Sequence, residues 1–308
     1  MSTIISTTEY DLVFTTSFEH EFGISGHLYE IIEYFYISRK NNINAGILLS
    51  DGTTIDLLER SIRQKYTFTE EEIKDCIDRT LVCYRPKIIR AKNICLVDGS
   101  PRFFEATIFA DNMFLFRCDL ADHIYYHNHK TIKKSHLLQD FKMYSERYET
   151  LNIEVVDYVK KLLWDKYKTP LGNKTNTALL YMPTNCKALA ADDLESIMNR
   201  YEFEHYLIIT SKPEKYTELI SEEVTVDTIP ITDLFDRFDT YIYTRVPRKL
   251  DCSPRFIVEC AVFDKEIIYD IDYIDPGVAR RRECIANGID TLLLKENDSF
   301  IDYVRTYI

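Results

Sequence analysis

The segment Thr177-Ala-Leu-Leu-Tyr-Met182, followed by Asp192-Asp-Leu-Glu-Ser-Ile-Met-Asn-Arg-Tyr201 and then His205-Tyr-Leu-Ile-Ile-Thr210, decides the fold. The first and third pieces are short apolar runs, which indicate buried strands over 177–182 and 205–211. The middle piece predicts a helix over 189–201, because its apolar residues recur at spacings of three and four: Leu194, Ile197, Met198 and Tyr201. A strand, a helix and a strand in this order are typical of a parallel sheet covered by helices.

The same alternation continues to the end of the chain. Lys212-Pro213 opens a helix, since proline is tolerated at the first helical position. Further strands are predicted at 224–229, 240–244, 266–271 and 291–294, and further helices at 231–238, 254–263, 276–287 and 298–307. We therefore expect a Rossmann-like domain over residues 177–308.

The residues before position 168 alternate in a similar way. Asp11-Leu-Val-Phe-Thr-Thr-Ser17 predicts a strand, and 27–40 has helical spacing. Thr69-Glu-Glu-Glu72 is a capping box, in which the Thr and Glu side chains satisfy backbone N–H groups at the start of a helix. Further strands are predicted at 45–50, 80–84, 92–98, 112–118 and 123–127, and further helices at 135–147 and 152–167.

A turn-rich stretch, Lys168-Thr-Pro-Leu-Gly-Asn-Lys-Thr-Asn176, separates the two halves, and seven of the nine prolines lie at or after Pro170. We expect a first domain over 1–168, a linker over 169–176 and a second domain over 177–308. The predicted fold class is α/β, with two Rossmann-like domains that face a cleft.

Charge and composition exclude several classes of protein. The 38 Lys+Arg and 50 Asp+Glu of the 308 residues give a formal net charge of −12, which argues against a surface that binds phosphate backbone throughout. No apolar run is long enough to cross a bilayer, and Met1–Glu9 lacks the features of a signal peptide. The eight cysteines show no Cys-x-x-Cys spacing, so we expect a reduced, cytoplasmic protein without a zinc site.

A glycine pair follows the first predicted strand, in Phe22-Gly-Ile-Ser-Gly26-His27. Glycines let a backbone approach a ligand closely, and the start of a helix offers N–H groups with partial positive charge. Gly23 and Gly26 are therefore candidate binding residues for a phosphate or a sugar. The alternative is a loop that needs glycine for packing alone.

A second candidate site follows the strand at 240–244. Four cationic side chains occur within eleven residues, at Arg245, Arg248, Lys249 and Arg255, and a helix begins at Ser253-Pro254 with Glu259 one turn inside it. Ligands of open α/β sheets bind beyond such strand ends. Cations and a helix start can stabilise a diphosphate, and a carboxylate can accept hydrogen bonds from a ribose diol. The alternative is a solvated basic loop.

These residues resemble the donor-binding half of GT-B glycosyltransferases, in which a strand, a loop and a helix that carries a glutamate follow one another. The resemblance implies that Glu259 holds the ribose of a nucleotide-sugar, and that the Gly23–Gly26 loop belongs to the domain across the cleft. Lys187 is the only residue of Tyr181–Lys187 that matches the basic pair of many relatives. The family's glycine turn after the helix reads Val262-Phe-Asp-Lys265 here, without glycine.

The resemblance implies sugar transfer from a nucleoside diphosphate, with UDP expected, to an acceptor hydroxyl. Arg245, Lys249, Arg255 and the helix start at Ser253 would stabilise the leaving diphosphate, so we expect no metal and no cofactor beyond the nucleotide-sugar. An inverting enzyme needs a general base in the first domain. By loop position we rank His27 and Asp98 above His20 and Glu21.

Two other motifs remain open. Asp270-Ile-Asp272 has the D-x-D spacing of metal sites in GT-A glycosyltransferases, but acidic residues at a helix entry explain it equally well. Local basic patches at Arg280–Arg282 and among His127, His129, Lys130, Lys133, Lys134 and His136 could contact an anionic acceptor.

The acceptor is the least determined part of the function. Frequent Tyr, Phe, Ile, Asn and Lys resemble the composition of proteins from large tailed phages, which encode glycosyltransferases that modify hydroxymethylcytosine in double-stranded DNA. DNA is therefore one expected partner, in which case the protein would act in the host cytoplasm. A polysaccharide or a lipid-linked saccharide is the alternative acceptor, and a non-catalytic nucleotide-binding protein is the alternative from another class.

Overall fold

A computed structural model describes residues 4–15, 26–50, 54–83, 88–97, 107–116, 131–139, 154–172, 174–182, 189–228, 233–244, 254–271 and 276–308. The chain forms two compact units. Unit 1 contains Met1–Tyr167 and Asp290–Ile308, and unit 2 contains Lys168–Ile289.

The strands of the described residues are β1 (Ile4–Ser6), β2 (Leu12–Thr15), β3 (Ala45–Ser50), β4 (Thr80–Cys83), β5 (Ile88–Arg90), β6 (Asn93–Leu96), β7 (Thr107–Leu115), β8 (Ile132–Gln139), β9 (Glu154–Asp157), β10 (Thr177–Met182), β11 (His205–Thr210), β12 (Val224–Thr228), β13 (Thr240–Thr244) and β14 (Glu266–Asp270). The α-helices are α1 (Gly26–Lys40), α2 (Ile55–Lys65), α3 (Glu70–Asp78), α4 (Ala191–Met198), α5 (Arg255–Val262), α6 (Pro276–Ala286) and α7 (Ser299–Arg305). Short 3₁₀ segments lie at Trp164–Lys166, Pro213–Leu219, Leu234–Asp236 and Ile289–Leu292. None of the helices in these ranges has the length and apolar character needed to cross a membrane.

The sheet of unit 1 is parallel at every described strand pair. Its longer strands follow the order β4-β3-β2-β6-β7-β8-β9, and the short β1 and β5 add the pairs β1–β5 and β5–β7. The chain builds outward from β2 to β4 and then returns to the other side of β2 with β6. The strand order therefore reverses between β2 and β6, which is the topological switch point of a doubly wound sheet.

The sheet of unit 2 has the order β12-β11-β10-β13-β14 and is also parallel throughout. Its switch point lies between β10 and β13. Both of its faces are covered, because Leu194 and Ile197 of α4 pack on one face, while Ile257 of α5 and Val278 of α6 pack on the other. These two sheets confirm the predicted α/β class with parallel, Rossmann-like order.

The end of the chain packs on unit 1, whereas we predicted a second domain that continues to residue 308. The ring of Phe300 lies 5.1 Å from that of Tyr34 and 5.2 Å from that of Phe116, between centroids. Lys161 forms an ion pair with Asp298, whose side chain also caps α7 by accepting from the N–H of Phe300. The periodicity of 298–307 correctly predicted a helix, but it carries no information about which sheet the apolar face covers.

Two predicted helices of the first half are wrong, and those predicted after Lys212 and at 231–238 form only the 3₁₀ segments Pro213–Leu219 and Leu234–Asp236. The range 135–147 begins within β8, and 152–167 contains β9 and only a short 3₁₀ segment at Trp164–Lys166. Both segments form strands because their backbones pair with neighbouring strands. β8 pairs with β7, and β9 pairs with β8 at the edge of the same sheet. The predicted strand at 291–294 is a 3₁₀ turn followed by a single bridge from Leu293 to Leu162. The predicted strand at 123–127 lies outside the described residues.

The capping box is confirmed. The N–H of Glu72 donates to Thr69 Oγ1 at 3.2 Å, and the N–H of Thr69 donates to Glu72 Oε2 at 2.9 Å, so α3 begins where the motif places it. Lys40 and Tyr36 of α1 also contact Glu72, which joins the two helices.

Candidate functional site

Four of the predicted donor-binding residues follow, in the sequence, the two strands that flank the switch point of unit 2. Lys187 follows β10, and Arg245, Lys249 and Ser253 follow β13, which is the neighbour of β10 across the switch point. These four residues lie outside the described residues. The chain is described again from Pro254, where α5 begins.

Helix α5 carries the two predicted binding residues that the structure describes. Arg255 Nε donates to Glu259 Oε1 at 2.8 Å, and the two side chains are only 9% and 7% exposed. Moving two charges out of water is costly unless they are paired and hydrogen-bonded. The structure therefore brings Arg255 and Glu259 together as a buried ion pair one turn into the helix that follows β13.

Aromatic and aliphatic side chains hold α5 in place. Ile257, Val258 and Cys260 are fully buried, and the ring of Phe256 stacks on Tyr181 of β10 with centroids 4.2 Å apart. The Tyr181 contact joins the first turn of α5 to the carboxyl-terminal part of the strand beside the switch point. The position of Glu259 relative to the sheet is therefore set by packing on both sides of its helix turn.

The turn after α5 forms without glycine. Asp264 adopts a left-handed conformation with φ of 56°, which aspartate tolerates better than most residues. Its N–H donates to the carbonyl of Ala261 at 3.2 Å, and the N–H of Lys265 donates to that of Cys260 at 2.9 Å. The turn therefore leads from α5 into β14 although it contains no glycine.

The predicted catalytic residues flank the switch point of unit 1 in the sequence. Asp98 comes directly after Val97, which follows β6, and lies outside the described residues together with Gly23. Gly26 begins α1, the helix that follows β2, and His27 is its second residue. Of the predicted residues at this point, the structure therefore describes Gly26 and His27.

His27 lies beside a buried ion pair that the sequence analysis missed. His27 Nδ1 is 3.7 Å from Glu30 Oε2, and Lys160 Nζ is 3.2 Å from the same oxygen. Glu30 and Lys160 are 4% and 7% exposed. The burial of Glu30 could have been predicted, because it stands among the apolar residues of the helix pattern. Its partner could not, because no sequence pattern links α1 to Lys160, 130 residues away.

The D-x-D motif is partly engaged in other contacts. Asp270 forms an ion pair with Arg200 and accepts a hydrogen bond from Tyr201 Oη at 3.0 Å. Asp272 lies outside the described residues. Across the part of the chain that the structure describes, no three His, Cys, Asp or Glu side chains come together as metal ligands would.

The first basic patch does not extend to His136. That ring is fully buried, burial lowers the pKa of His136 to about 4, and the side chain hydrogen-bonds to Tyr303 Oη at 2.6 Å. Lys133 pairs with Asp111, and Lys134 pairs with Glu154. The rest of this patch, His127, His129 and Lys130, lies outside the described residues.

The second patch is not continuous either. Arg281 is 2% exposed, and the guanidinium of Arg282 lies 5.0 Å from the ring centroid of Tyr269. The helix period places consecutive arginines on different faces of α6, so three in a row do not form one surface.

Comparisons with known proteins agree with the two-unit architecture. No protein-family profile matches the chain, and no curated protein matches it in sequence. Among solved structures, the pneumococcal O-GlcNAc transferase GtfA, in complex with UDP and GlcNAc, matches with a TM-score of 0.50 and 9% identity over 97% of this chain and 90% of that chain. The chain has the GT-B fold.

Two further solved structures match over most of their length with a TM-score of 0.45. The apo form of lipopolysaccharide outer core galactosyltransferase WaaB is 12% identical over 96% of this chain and 98% of that chain. A glycosyltransferase from Rickettsia africae ESF-5 is 11% identical over 96% of this chain and 92% of that chain. At 9% identity the match to GtfA shows the fold alone, so the chemistry is argued from the residues.

Proposed function

We propose that this chain is a glycosyltransferase that moves a sugar from a nucleoside diphosphate to an acceptor hydroxyl. The observation that carries the proposal is the buried Arg255–Glu259 pair one turn into α5, directly after the switch-point strand β13. Nucleotides bind at the carboxyl ends of strands at such points. A carboxylate held there can accept hydrogen bonds from the hydroxyls of a ribose.

The donor in this proposal is a UDP-sugar. UDP is the nucleotide in the GtfA structure that shares the fold, which supports the choice without deciding it. Lys187, Arg245, Lys249 and Ser253 are proposed to contact the diphosphate together with the backbone N–H groups at the start of α5. These groups would stabilise the charge that develops on the leaving diphosphate, so the proposed mechanism uses no metal ion.

Unit 1 supplies the acceptor side in this proposal. Gly23 and Gly26 are proposed to let a sugar approach closely before α1, since neither residue has a Cβ. For an inverting transfer, His27 accepts the proton of the acceptor hydroxyl as that oxygen attacks the oxocarbenium-like centre. Asp98, which follows the strand on the other side of the switch point, is the second candidate for this role.

The acceptor that we favour is a saccharide hydroxyl. Lys133 and Lys134 each face a carboxylate, and His136 is buried, so these three side chains do not offer unpaired charge to a DNA phosphate. Hydroxymethylated double-stranded DNA is the second candidate, supported by composition. Transfer of radiolabelled sugar to hydroxymethylated duplex and to oligosaccharides, compared side by side, distinguishes the two.

The donor assignment is tested by calorimetric titration of UDP into the wild type and Glu259→Ala. We expect the variant to bind UDP more weakly by about 1–3 kcal/mol, the scale of a lost hydrogen bond to a charged acceptor. Glu283→Ala, an exposed glutamate of α6 in the same unit, is the matched control. Equal affinity of Glu259→Ala and the wild type would refute the ribose assignment. UDP binding without turnover of any UDP-sugar would favour a non-catalytic nucleotide-binding protein.

A further inference from the structure

The Arg255–Glu259 pair is poorly explained as a device that stabilises its helix. Arg255 is the first residue of α5, where the partial positive charge of the helix end disfavours a cation. The acidic partner stands four residues after the basic one, which is the weaker orientation for such pairs. Both side chains are also more than nine-tenths buried, so the pair must offset the cost of moving two charges out of water.

We propose that Arg255 is a positioning residue that acts on the nucleotide through Glu259, and not a direct contact of the diphosphate as the sequence suggested. This inference rests on the proposed function. The 2.8 Å bond from Nε sets the rotamer of the glutamate. A carboxylate has about four acceptor positions, so it can accept from Arg255 and from a ribose hydroxyl at the same time.

A direct diphosphate contact and a positioning residue differ in which part of the nucleotide changes the contribution of Arg255 to binding. If Arg255 contacts the diphosphate, its contribution to the affinity comes from the phosphate oxygens and does not change when a ribose hydroxyl is removed. A residue that orients Glu259 affects only the part of the affinity that comes from the ribose hydroxyls. UDP and 2′-deoxy-UDP carry the same phosphates and differ in one ribose hydroxyl, so the ratio of their dissociation constants separates the roles.

The experiment measures both nucleotides by calorimetry with wild type, Arg255→Met, Glu259→Ala and the double variant. We expect the wild type to prefer UDP about tenfold, which is the effect of one hydrogen bond to a charged acceptor. Arg255→Met should lose most of this preference while its affinity for 2′-deoxy-UDP stays within about twofold of wild type. The double variant should show the same ratio as Glu259→Ala alone, because the two residues act as one unit. Arg282→Met, which removes an arginine elsewhere in unit 2, is the control for charge.

Each result has one meaning. If Arg255→Met weakens both nucleotides alike and keeps the preference for UDP, Arg255 contacts the phosphates and the inference is wrong, while the proposed function stands. If wild type binds both nucleotides equally, Glu259 does not meet the 2′-hydroxyl and the inference falls with that assignment. If wild type binds neither nucleotide at millimolar concentration, the proposed function itself is overturned. Far-ultraviolet circular dichroism of each variant verifies that the fold is kept.

Discussion

At the scale of single residues, buried charged and titratable groups form specific contacts inside both units. Glu30 and Lys160 form an ion pair inside unit 1, Arg255 and Glu259 form another inside unit 2, and His136 is buried within a group of aromatic rings. Each of these contacts joins side chains that an apolar core would not require. Their energetics can therefore be measured one at a time.

His136 should make the protein less stable as the solution is acidified. Burial and the nearby charge of Lys134 lower the pKa of His136 from 6.5 to about 4, although the charge of Glu154 opposes the shift. In the unfolded chain the ring takes up a proton below pH 6.5, and in the folded chain it does so only near pH 4. The unfolded state therefore binds more protons in this window, and the free energy of unfolding should fall by about 3 kcal/mol between pH 6.5 and pH 4.

Urea unfolding at several pH values measures this effect. His136→Gln should flatten the dependence between pH 4 and 6.5 by close to one proton, whatever its own stability. His205→Gln, at an exposed position on β11, is the matched control. An unchanged slope in His136→Gln would mean that the ring is protonated in the folded protein.

Lys160→Met should destabilise unit 1, because it leaves the carboxylate of Glu30 buried without its lysine partner. Breaking one side of a buried pair costs about 3 kcal/mol or more. Glu30→Gln/Lys160→Met should cost less than the sum of the two single variants, since the double variant removes both charges. Urea unfolding of the four proteins measures the coupling. A cost below about 0.5 kcal/mol for Lys160→Met would show that the lysine adds nothing to stability.

At the scale of elements, the backbone conformation of one residue joins α5 to β14. In the turn between α5 and β14, Asp264 takes the left-handed conformation with φ of 56°, which glycine adopts most readily. A residue with a Cβ is strained there by roughly 1 kcal/mol, although aspartate is among the least affected. The turn between α5 and β14 therefore forms without glycine at a small cost in the free energy of folding.

Asp264→Gly should therefore raise the free energy of unfolding by about 0.5–1 kcal/mol, because glycine adopts this conformation without strain. Asp264→Ala should lower it by a similar amount, since alanine lacks the polar side chain that helps aspartate in this region. Thermal unfolding followed by circular dichroism compares the two variants with wild type. If the glycine variant is the less stable of the two, the aspartate side chain supports the turn through its own contacts.

At the scale of the whole molecule, unit 1 is discontinuous in the sequence and unit 2 is not. Residues 290–308 complete unit 1 by covering Phe14, Tyr34 and Phe116 with Phe300, and by pairing Asp298 with Lys161. Unit 2 is a single stretch, Lys168–Ile289, with both faces of its sheet covered from within. The two units should therefore respond differently when they are separated.

A fragment of residues 168–289 should unfold cooperatively, whereas a fragment of residues 1–167 should not. The second fragment lacks α7, so the aromatic rings beneath it would be exposed to water, at a cost of about 25 cal/mol for each Å² of apolar surface. Urea unfolding and near-ultraviolet circular dichroism measure the outcome for each fragment. Adding residues 290–308 through a flexible linker to 1–167 should restore cooperative unfolding. Cooperative unfolding of 1–167 alone would show that the end of the chain is dispensable for unit 1.

The sequence by itself determined the α/β class, most strand positions, the capping box at Thr69 and the place of α5 after β13. These features depend on local spacing and on backbone hydrogen bonds near in sequence, which a pattern of three and four residues records. The sequence also shows which candidate residues follow the carboxyl ends of strands, and parallel strands place these ends at one edge of the sheet.

Only the tertiary structure decided which helix face covers which sheet. It placed α7 on unit 1, made 132–139 and 154–157 strands, and brought Lys160 to Glu30 across 130 residues. The physical reason is that apolar periodicity predicts which face of an element is buried but not which element covers it. In the same way, the partner of a buried charge depends on distance in space and not on distance along the chain. Strand pairing and desolvation, which act between residues far apart in the chain, settled both questions.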